Sequence, residues 1–236
     1  MNGTKVLLIG CVGGLGSATA GALRERGAQV VGLDRADLDL GLEHKVSKVI
    51  RETWQKLGPF DSLVHAAGIF PALPMLETSE DDFRRIMTIN AGSAFAAASA
   101  FSRLCIDGHR SGNIVMVSSG AARRPRKGLA AYGASKAALE SIVRSVALEM
   151  GPHGIRCNAV APGFVDVKST INPIPESYID AIARSNLHRR VAKPADVIPA
   201  IVWLLTPESG WINGQSIPVD GGDSIGASSE ASWTDE

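Results

Sequence analysis

The sequence predicts an α/β fold: a single Rossmann-like domain with helices on both faces of one doubly wound parallel sheet. Three observations predict it. Short apolar runs such as KVLLI, QVVGL and NIVMV alternate with longer segments of helical spacing along the whole chain. The runs are apolar throughout rather than at alternate positions, as strands buried on both faces must be. The first run ends in a glycine-rich turn, IGCVGGLGS, that leads into a helix. At 236 residues and 45% hydrophobic content the chain can bury one sizeable core, and no repeat or linker divides it.

The elements follow in order. Lys5 to Gly10 reads as the first strand. Leu15 to Arg26 has helical spacing, and Gly27 follows as a stop. Gln29 to Asp34 is a second strand, and Ala36 to Leu40 a very short third. Glu43 to Leu57 is an amphipathic helix with Val46, Val49, Ile50, Trp54 and Leu57 on one side. Ser62 to Gly68 is strand-like and ends in small residues. Ser79 opens a helix whose acidic first turn, Glu80, Asp81 and Asp82, suits the helix dipole. The small-residue segment Ala91 to Ala100 continues as a tightly packed helix. Asn113 to Ser118 is a strand, Ala134 to Met150 a helix closed near Gly151 and Pro152, and Ile155 to Gly163 a strand and turn. Val197 to Leu205 is helix and Ser216 to Gly222 the last strand. The domain is expected to span residues 1–225, with 226–236 a polar, frayed tail.

Lys plus Arg and Asp plus Glu both number 24. Zero net charge argues against nucleic acid or an anionic membrane as a partner. Cys11, Cys105 and Cys157 lie scattered in apolar segments, which fits thiols in a reducing compartment better than a disulfide framework. No run approaches the roughly 18 apolar residues of a membrane span, and the first ten residues hold no signal h-region. A cytoplasmic enzyme or binding protein without a metal site is the expectation.

Gly10, Gly13, Gly14 and Gly16 lie between the first strand and its helix. Glycines there let the backbone approach a diphosphate, and the helix N-terminus offers amide donors and positive dipole to it. Asp34 ends the second strand, where a carboxylate accepts hydrogen bonds from adenosine ribose hydroxyls and repels a 2′-phosphate. Arg35 softens that repulsion. The cofactor expected is therefore NAD rather than NADP.

Tyr132 and Lys136 are four apart at a helix start and share a face. An ammonium beside a phenol favours the phenolate and lowers a pKa that is ordinarily near 10. Such a phenol exchanges a proton with a substrate alcohol or carbonyl oxygen. Ser119, at the end of a strand, is placed to hold the same oxygen. With a dinucleotide loop on the same sheet, these residues propose hydride transfer.

The ordered set of motifs resembles the short-chain dehydrogenase/reductase family along nearly the whole chain. It comprises the glycine loop, HAAG at His65 to Gly68, TINAG with Asn90, then Ser119, Tyr132 and Lys136, APG at Ala161 to Gly163, WINGQ and VDGG. The resemblance implies that Tyr132 is the general acid/base and Lys136 lowers its pKa and binds the nicotinamide ribose. Ser119 would orient the substrate oxygen, and Asn90 would hold a helix kink and a relay water. It further implies cofactor contacts from Leu15, Asp39, Leu40, Ala66, Ala67, Gly68, Pro162, Gly163 and Val165, and a homotetramer or homodimer. Three departures stand out. The stretch from Asp34 to Asp61 is short, which would remove most of a helix. Val167 replaces a threonine, for which Ser169 or Thr170 would substitute. His65 replaces an asparagine and reads as a hydrogen-bonded structural histidine.

Between Ser119 and Tyr132 lie Arg123, Arg124, Arg126 and Lys127. In the family this loop lies beside the substrate. Guanidinium groups recognise carboxylates through paired hydrogen bonds, so Arg126 is the candidate for binding an anionic substrate; the alternative is solvated or subunit-paired cations. The pattern AAxxPRxG with YGASKAAL resembles dehydrogenases that oxidise a ring hydroxyl of a carboxylated cyclohexadiene with NAD. Two other readings stay open: an acyl or polyketide carbonyl reductase, and a nucleotide-sensing or scaffold protein without turnover.

Overall fold

A computed structural model describes residues 1–167 and 174–225. The expected tail at 226–236 and the substitutes Ser169 and Thr170 lie outside the described residues.

Among the described residues six parallel strands run in the order β2-β1-β3-β4-β5-β6: β1 Lys5–Ile9, β2 Gln29–Leu33, β3 Ser62–His65, β4 Gly112–Val117, β5 Ile155–Pro162 and β6 Ser216–Val219. Helices α1 Gly14–Glu25, α2 Glu43–Leu57, α3 Glu80–Met87, α4 Ser93–Asp107, α5 Ala130–Met150, α6 Glu176–Ser185 and α7 Pro194–Leu204 connect them. Strand alternation feeds two cores. Leu7, Ile9, Leu63, Ile114, Met116 and Cys157 pack with residues of α2, α4 and α5. Val6, Leu8, Val64, Val115 and Val160 pack with residues of α1 and α7 on the other face. This is why the strands read as unbroken apolar runs.

Two expectations need correction. Ala36 to Leu40 is not a strand. The Asp34 carbonyl accepts from the Asp37 and Leu38 amides, each at 2.8 Å, and Asp37 Oδ2 accepts from the Asp34 amide. That turn drops Leu38 into the core and leaves β2 as the sheet edge. Helix α5 starts at Ala130, four residues before the expected Ala134, so Tyr132 sits in its first turn. No side chain caps that end; the positive φ of Gly128 turns the chain into it.

The order reverses between β1 and β3, since the chain goes from β1 to one neighbour and returns to the other. The crevice beyond the carboxyl ends of these strands is where open α/β sheets bind ligands.

Candidate active site

Gly10 follows β1 at φ +87°, and a Cβ there would come 2.6 Å from the Ala67 amide nitrogen. The turn after β1 and the turn after β3 thus close on each other at the switch point. Gly16 is tighter still: its Cβ would stand 1.9 Å from the Gly10 carbonyl oxygen. A Cβ on Gly14 would meet Val167 at 2.4 Å, so the segment after β5 folds over this loop. Gly13 is different, with only the Gly10 oxygen 3.6 Å away. It is the N-cap of α1, has no side-chain cap bond, and is followed by no acidic residue in the first turn. The amides of that turn, Leu15 among them, are free of side-chain competition for an anion. The Leu15 side chain itself packs in the core beneath.

At the end of β2, Asp34 Oδ2 accepts the Val12 amide at 2.7 Å and Oδ1 accepts that of Arg35 at 2.8 Å. The carboxylate is held at the rim of the same crevice, and the Arg35 side chain is exposed. These residues fit a dinucleotide: a cradle no side chain can fill, an open helix N-terminus and a fixed carboxylate. Asp39 accepts the Gly41 amide at 2.9 Å within its own turn, while Leu40 packs against the core. Val165 pairs with Ala192, and Gly163 donates to the Val219 carbonyl at 3.2 Å beside Asp220. Pro162 ends β5 beside Gly120.

The second half of the site lies where β4 ends against α5. Ser119 Oγ accepts the Ala121 amide at 3.2 Å and stands beside the Tyr132 phenol, whose ionised form it favours. Lys136 lies one turn along the same face, 4% exposed, with Nζ donating to the Val117 carbonyl at 2.9 Å and 5.8 Å from the Tyr132 ring centre. Burial pushes the Lys136 ammonium down to about 8. The Tyr132 phenol is raised above its ordinary value because burial outweighs the Ser119 hydrogen bond, which lowers it. The lowering by Lys136 expected from sequence is therefore not the governing influence. Nζ is turned to a carbonyl at the strand end, and the phenol belongs to a half-buried side chain.

Asn90 is fully buried in a π-turn, Thr88–Gly92, between α3 and α4. Its Oδ1 accepts the Ile69 amide at 2.8 Å; its Nδ2 donates to the Ile69 carbonyl and to Ser135 Oγ, both at 3.0 Å. A Cβ on Gly68 would come 2.9 Å from Asn90 Oδ1 and 3.4 Å from Lys136 Nζ. Only glycine leaves that gap open, so HAAG brings Asn90 and Lys136 to one place. Ala66 and Ala67 carry the chain from β3 into it, Ala66 donating to the Ile9 carbonyl at 2.9 Å.

The cationic loop is anchored rather than free. Arg123 Nε donates to Glu140 at 3.1 Å and its Nη2 to the Ser216 carbonyl at 2.8 Å. Arg124 donates to Asp223 Oδ1 at 3.2 Å, and Arg126 pairs with the other oxygen of the same carboxylate. Lys127 is exposed.

Several site residues carry no motif of their own. Phe70 packs edge-on against Tyr132, with ring centres 4.8 Å apart. Ser135 links Asn90 to α5, donating to the Tyr132 carbonyl at 2.7 Å. Glu140 and Asp223 hold the arginines. Ser135 and Glu140 have a sequence signal, the repeat of Tyr132, Lys136 and Glu140 at spacing four with Ser135 between; Phe70 and Asp223 have none.

The family model described as Enoyl-(Acyl carrier protein) reductase matches residues 36–224. The chain is 33% identical to 2,3-dihydro-2,3-dihydroxybenzoate dehydrogenase of Escherichia coli (strain K12), over 96% of this chain and 99% of that one. It is 32% identical to carbonyl reductase [NADPH] 2 of Sus scrofa, over 94% and 96%. Among solved structures, NAD+-bound xylitol dehydrogenase superposes with a TM-score of 0.84 at 28% identity, over 94% of this chain and 99% of that one.

Proposed function

We propose, on the premise that this chain belongs to the short-chain dehydrogenase/reductase family, that it oxidises a secondary ring alcohol bearing a carboxylate, with NAD as hydride acceptor. The observation that carries this is the convergence of Ser119, Tyr132 and Lys136 at the end of β4, above a cradle fitted to a dinucleotide.

Gly10, Gly14, Gly16 and the first turn of α1 would hold the diphosphate, Asp34 the adenosine ribose and Lys136 the nicotinamide ribose. When bound, the nicotinamide ring accepts the hydride that leaves the alcohol carbon. Ser119 donates a hydrogen bond to the substrate oxygen and fixes it beside Tyr132. The substrate O–H gives its proton to Tyr132 Oη, and the C–O bond becomes a carbonyl as the C–H electron pair leaves. In the reverse direction Tyr132 returns the proton to the carbonyl oxygen. Asn90 holds the turn beside Gly68 through which Lys136 exchanges protons with solvent. Oxidation needs the phenolate, which burial disfavours, so its rate rises with pH.

NAD is preferred over NADP because Asp34, fixed by two backbone amides, would stand against a 2′-phosphate. The carboxylate reading rests on Arg126 and the E. coli relative. Arg124 and Arg126 share one carboxylate, Asp223, which leaves an excess of positive charge with Lys127 beside it. The thiols of Cys11, Cys105 and Cys157 are unpaired, in keeping with a cytoplasmic enzyme. Phe95 and Leu148, exposed on α4 and α5, support pairing of subunits as a homodimer or homotetramer.

The test compares wild type with Tyr132→Phe and Arg126→Ala, using 2,3-dihydro-2,3-dihydroxybenzoate and cyclohexanol as substrates. Tyr132→Phe should bind NAD normally by calorimetry and lose about 10²–10⁴-fold in turnover. Arg126→Ala should raise KM for the acid alone. Full turnover by Tyr132→Phe sinks the catalytic reading. An equal loss on both substrates sinks the carboxylate role.

A further inference from the structure

Three consecutive residues at the end of β4 each engage α5. The Val117 carbonyl accepts from Lys136 Nζ, the Ser118 hydroxyl donates to Glu140 Oε1 at 3.0 Å, and the Ser119 hydroxyl faces the Tyr132 phenol and favours its ionised form. Their partners, Tyr132, Lys136 and Glu140, stand at i, i+4 and i+8 on one helix face. Two of the three rungs belong to the proposed chemistry. The third does not, yet it is the most heavily bonded.

Glu140 is 5% exposed. A carboxylate so enclosed persists only if its lone pairs are met. Here Oε1 also accepts the Ser216 hydroxyl at 2.6 Å, and Oε2 accepts Arg123 Nε at 3.1 Å. Arg123 in turn donates to the Ser216 carbonyl at 2.8 Å. One carboxylate therefore ties together β4 beside Ser119, the start of β6 and the loop that begins the cationic segment. Arg123 is consequently not available as a substrate ligand; its charge is spent on holding this joint.

We propose that Glu140 is a positioning residue: it sets the register of the β4 end on α5 and so the hydrogen bond between Ser119 and Tyr132. This deepens the reading of Ser119 and Tyr132 given above and rests on it. Removing the rung on either side should let Ser119 drift from the phenol. The groups that face this joint are Tyr132, Lys136 and Glu140 on α5, Arg123 on the loop, and His65 at the end of β3, whose buried ring feels the Lys136 charge. His65 is neutral above about pH 3. Lys136, pushed down to about 8, titrates in the alkaline range as well, so the joint is read at the Tyr132 phenol carbon itself and each variant is compared with the wild type, which carries the same lysine.

The chain has two tyrosines, Tyr132 and Tyr178. Tyr178 lies on α6, 41% exposed, and takes no part in this joint. Tyrosine labelled with 13C at Cζ gives one NMR signal for each, assigned with Tyr178→Phe, so Tyr132 can be titrated without any substrate. Because the Ser119 hydroxyl favours the phenolate, Glu140→Gln and Ser118→Ala should both move the Tyr132 midpoint to higher pH, as Ser119→Ala should. The two effects should not add in the double variant. In turnover each should lower kcat about tenfold or more while leaving KM for NAD within about twofold, the signature of misplaced rather than missing groups. Glu140→Gln leaves Arg123 facing an amide; if it does not fold by circular dichroism, Ser118→Ala alone decides. An unmoved Tyr132 midpoint in the folded variants overturns the proposal. If Ser119→Ala moves it, the fault lies with Glu140 alone. If Ser119→Ala leaves it unmoved as well, the reading of the Ser119–Tyr132 bond falls with it.

Discussion

His65 replaces the asparagine that the family resemblance leads one to expect, and its surroundings fix its state. Ser93 donates its hydroxyl hydrogen to the Ile89 carbonyl at 2.6 Å, so at 3.0 Å it can only accept from His65 Nε2. The imidazole is thus the neutral Nε2–H tautomer, with a buried Nδ1 that has no partner. Burial and the Lys136 charge push its pKa down to about 3 from an ordinary 6.5. Between those values the unfolded chain binds a proton that the folded chain does not, so stability rises with pH and is lost as pH falls from 6.5 toward 3. At pH 4.5 the loss amounts to about 3 kcal/mol, or roughly 5–10 °C of melting temperature. His65→Asn removes the titrating group. Thermal melts from pH 7 to pH 4.5 should show the wild type losing several degrees more than the variant; parallel losses would refute this account. At this scale the chemical residue types were legible from sequence. The balance at Tyr132 was not, because burial raised a pKa that the neighbouring lysine was expected to lower.

Glycines that look alike in the phosphate loop do different things. A Cβ at Gly16 would overlap the Gly10 carbonyl, whereas at Gly13 it would meet ordinary space and the φ is −64°. Gly16→Ala should therefore cost about 1–3 kcal/mol and weaken NAD binding at least tenfold, while Gly13→Ala should cost only about 0.5–1 kcal/mol, as a poorer N-cap, and weaken NAD binding less than Gly16→Ala does. Calorimetric titration of NAD with both variants checks this, and equal behaviour of the two would contradict it. The start of α3 at Ser79 and its acidic first turn were readable; the structure makes them a capping box, in which Ser79 Oγ accepts the Asp82 amide at 3.1 Å and Asp82 returns the bond. Ser79→Ala should lower stability by about 1 kcal/mol in urea unfolding without altering turnover. Ala36 to Leu40 alternates like a strand, yet Asp34 and Asp37 close a local turn that the alternation does not reveal. The start of α5 was missed for a similar reason. No Ser, Thr, Asp or Asn marks it, and the turn at Gly128 does.

The two cores leave apolar side chains outside. Phe95 on α4 is 57% exposed and Leu148 on α5 is 80% exposed, on helices that pack against each other. Such residues on adjacent helices are what an interface between copies would cover. Sedimentation should therefore give a dimer or tetramer, and the pair Phe95→Glu with Leu148→Glu should shift it to monomer; a monomeric wild type would remove the idea. The Asp220–Gly222 turn shows how the molecule assembles its mouth. Asn186 donates to the Asp220 carbonyl at 3.0 Å, Leu187 fills the space beside Gly222, and Asp223 takes Arg124 and Arg126. Three segments distant in sequence meet in one turn. The sequence by itself determined the parallel sheet, the glycine turn after β1 and the shared face of Tyr132 and Lys136, because each is written in spacings of a few residues that a strand end or a helix turn converts directly into proximity. Only the tertiary structure decided what the arginines hold and that Glu140 joins β4, β6 and the loop. Those pairs lie up to 97 residues apart, and no local pattern encodes which carboxylate will meet which guanidinium once the chain has closed.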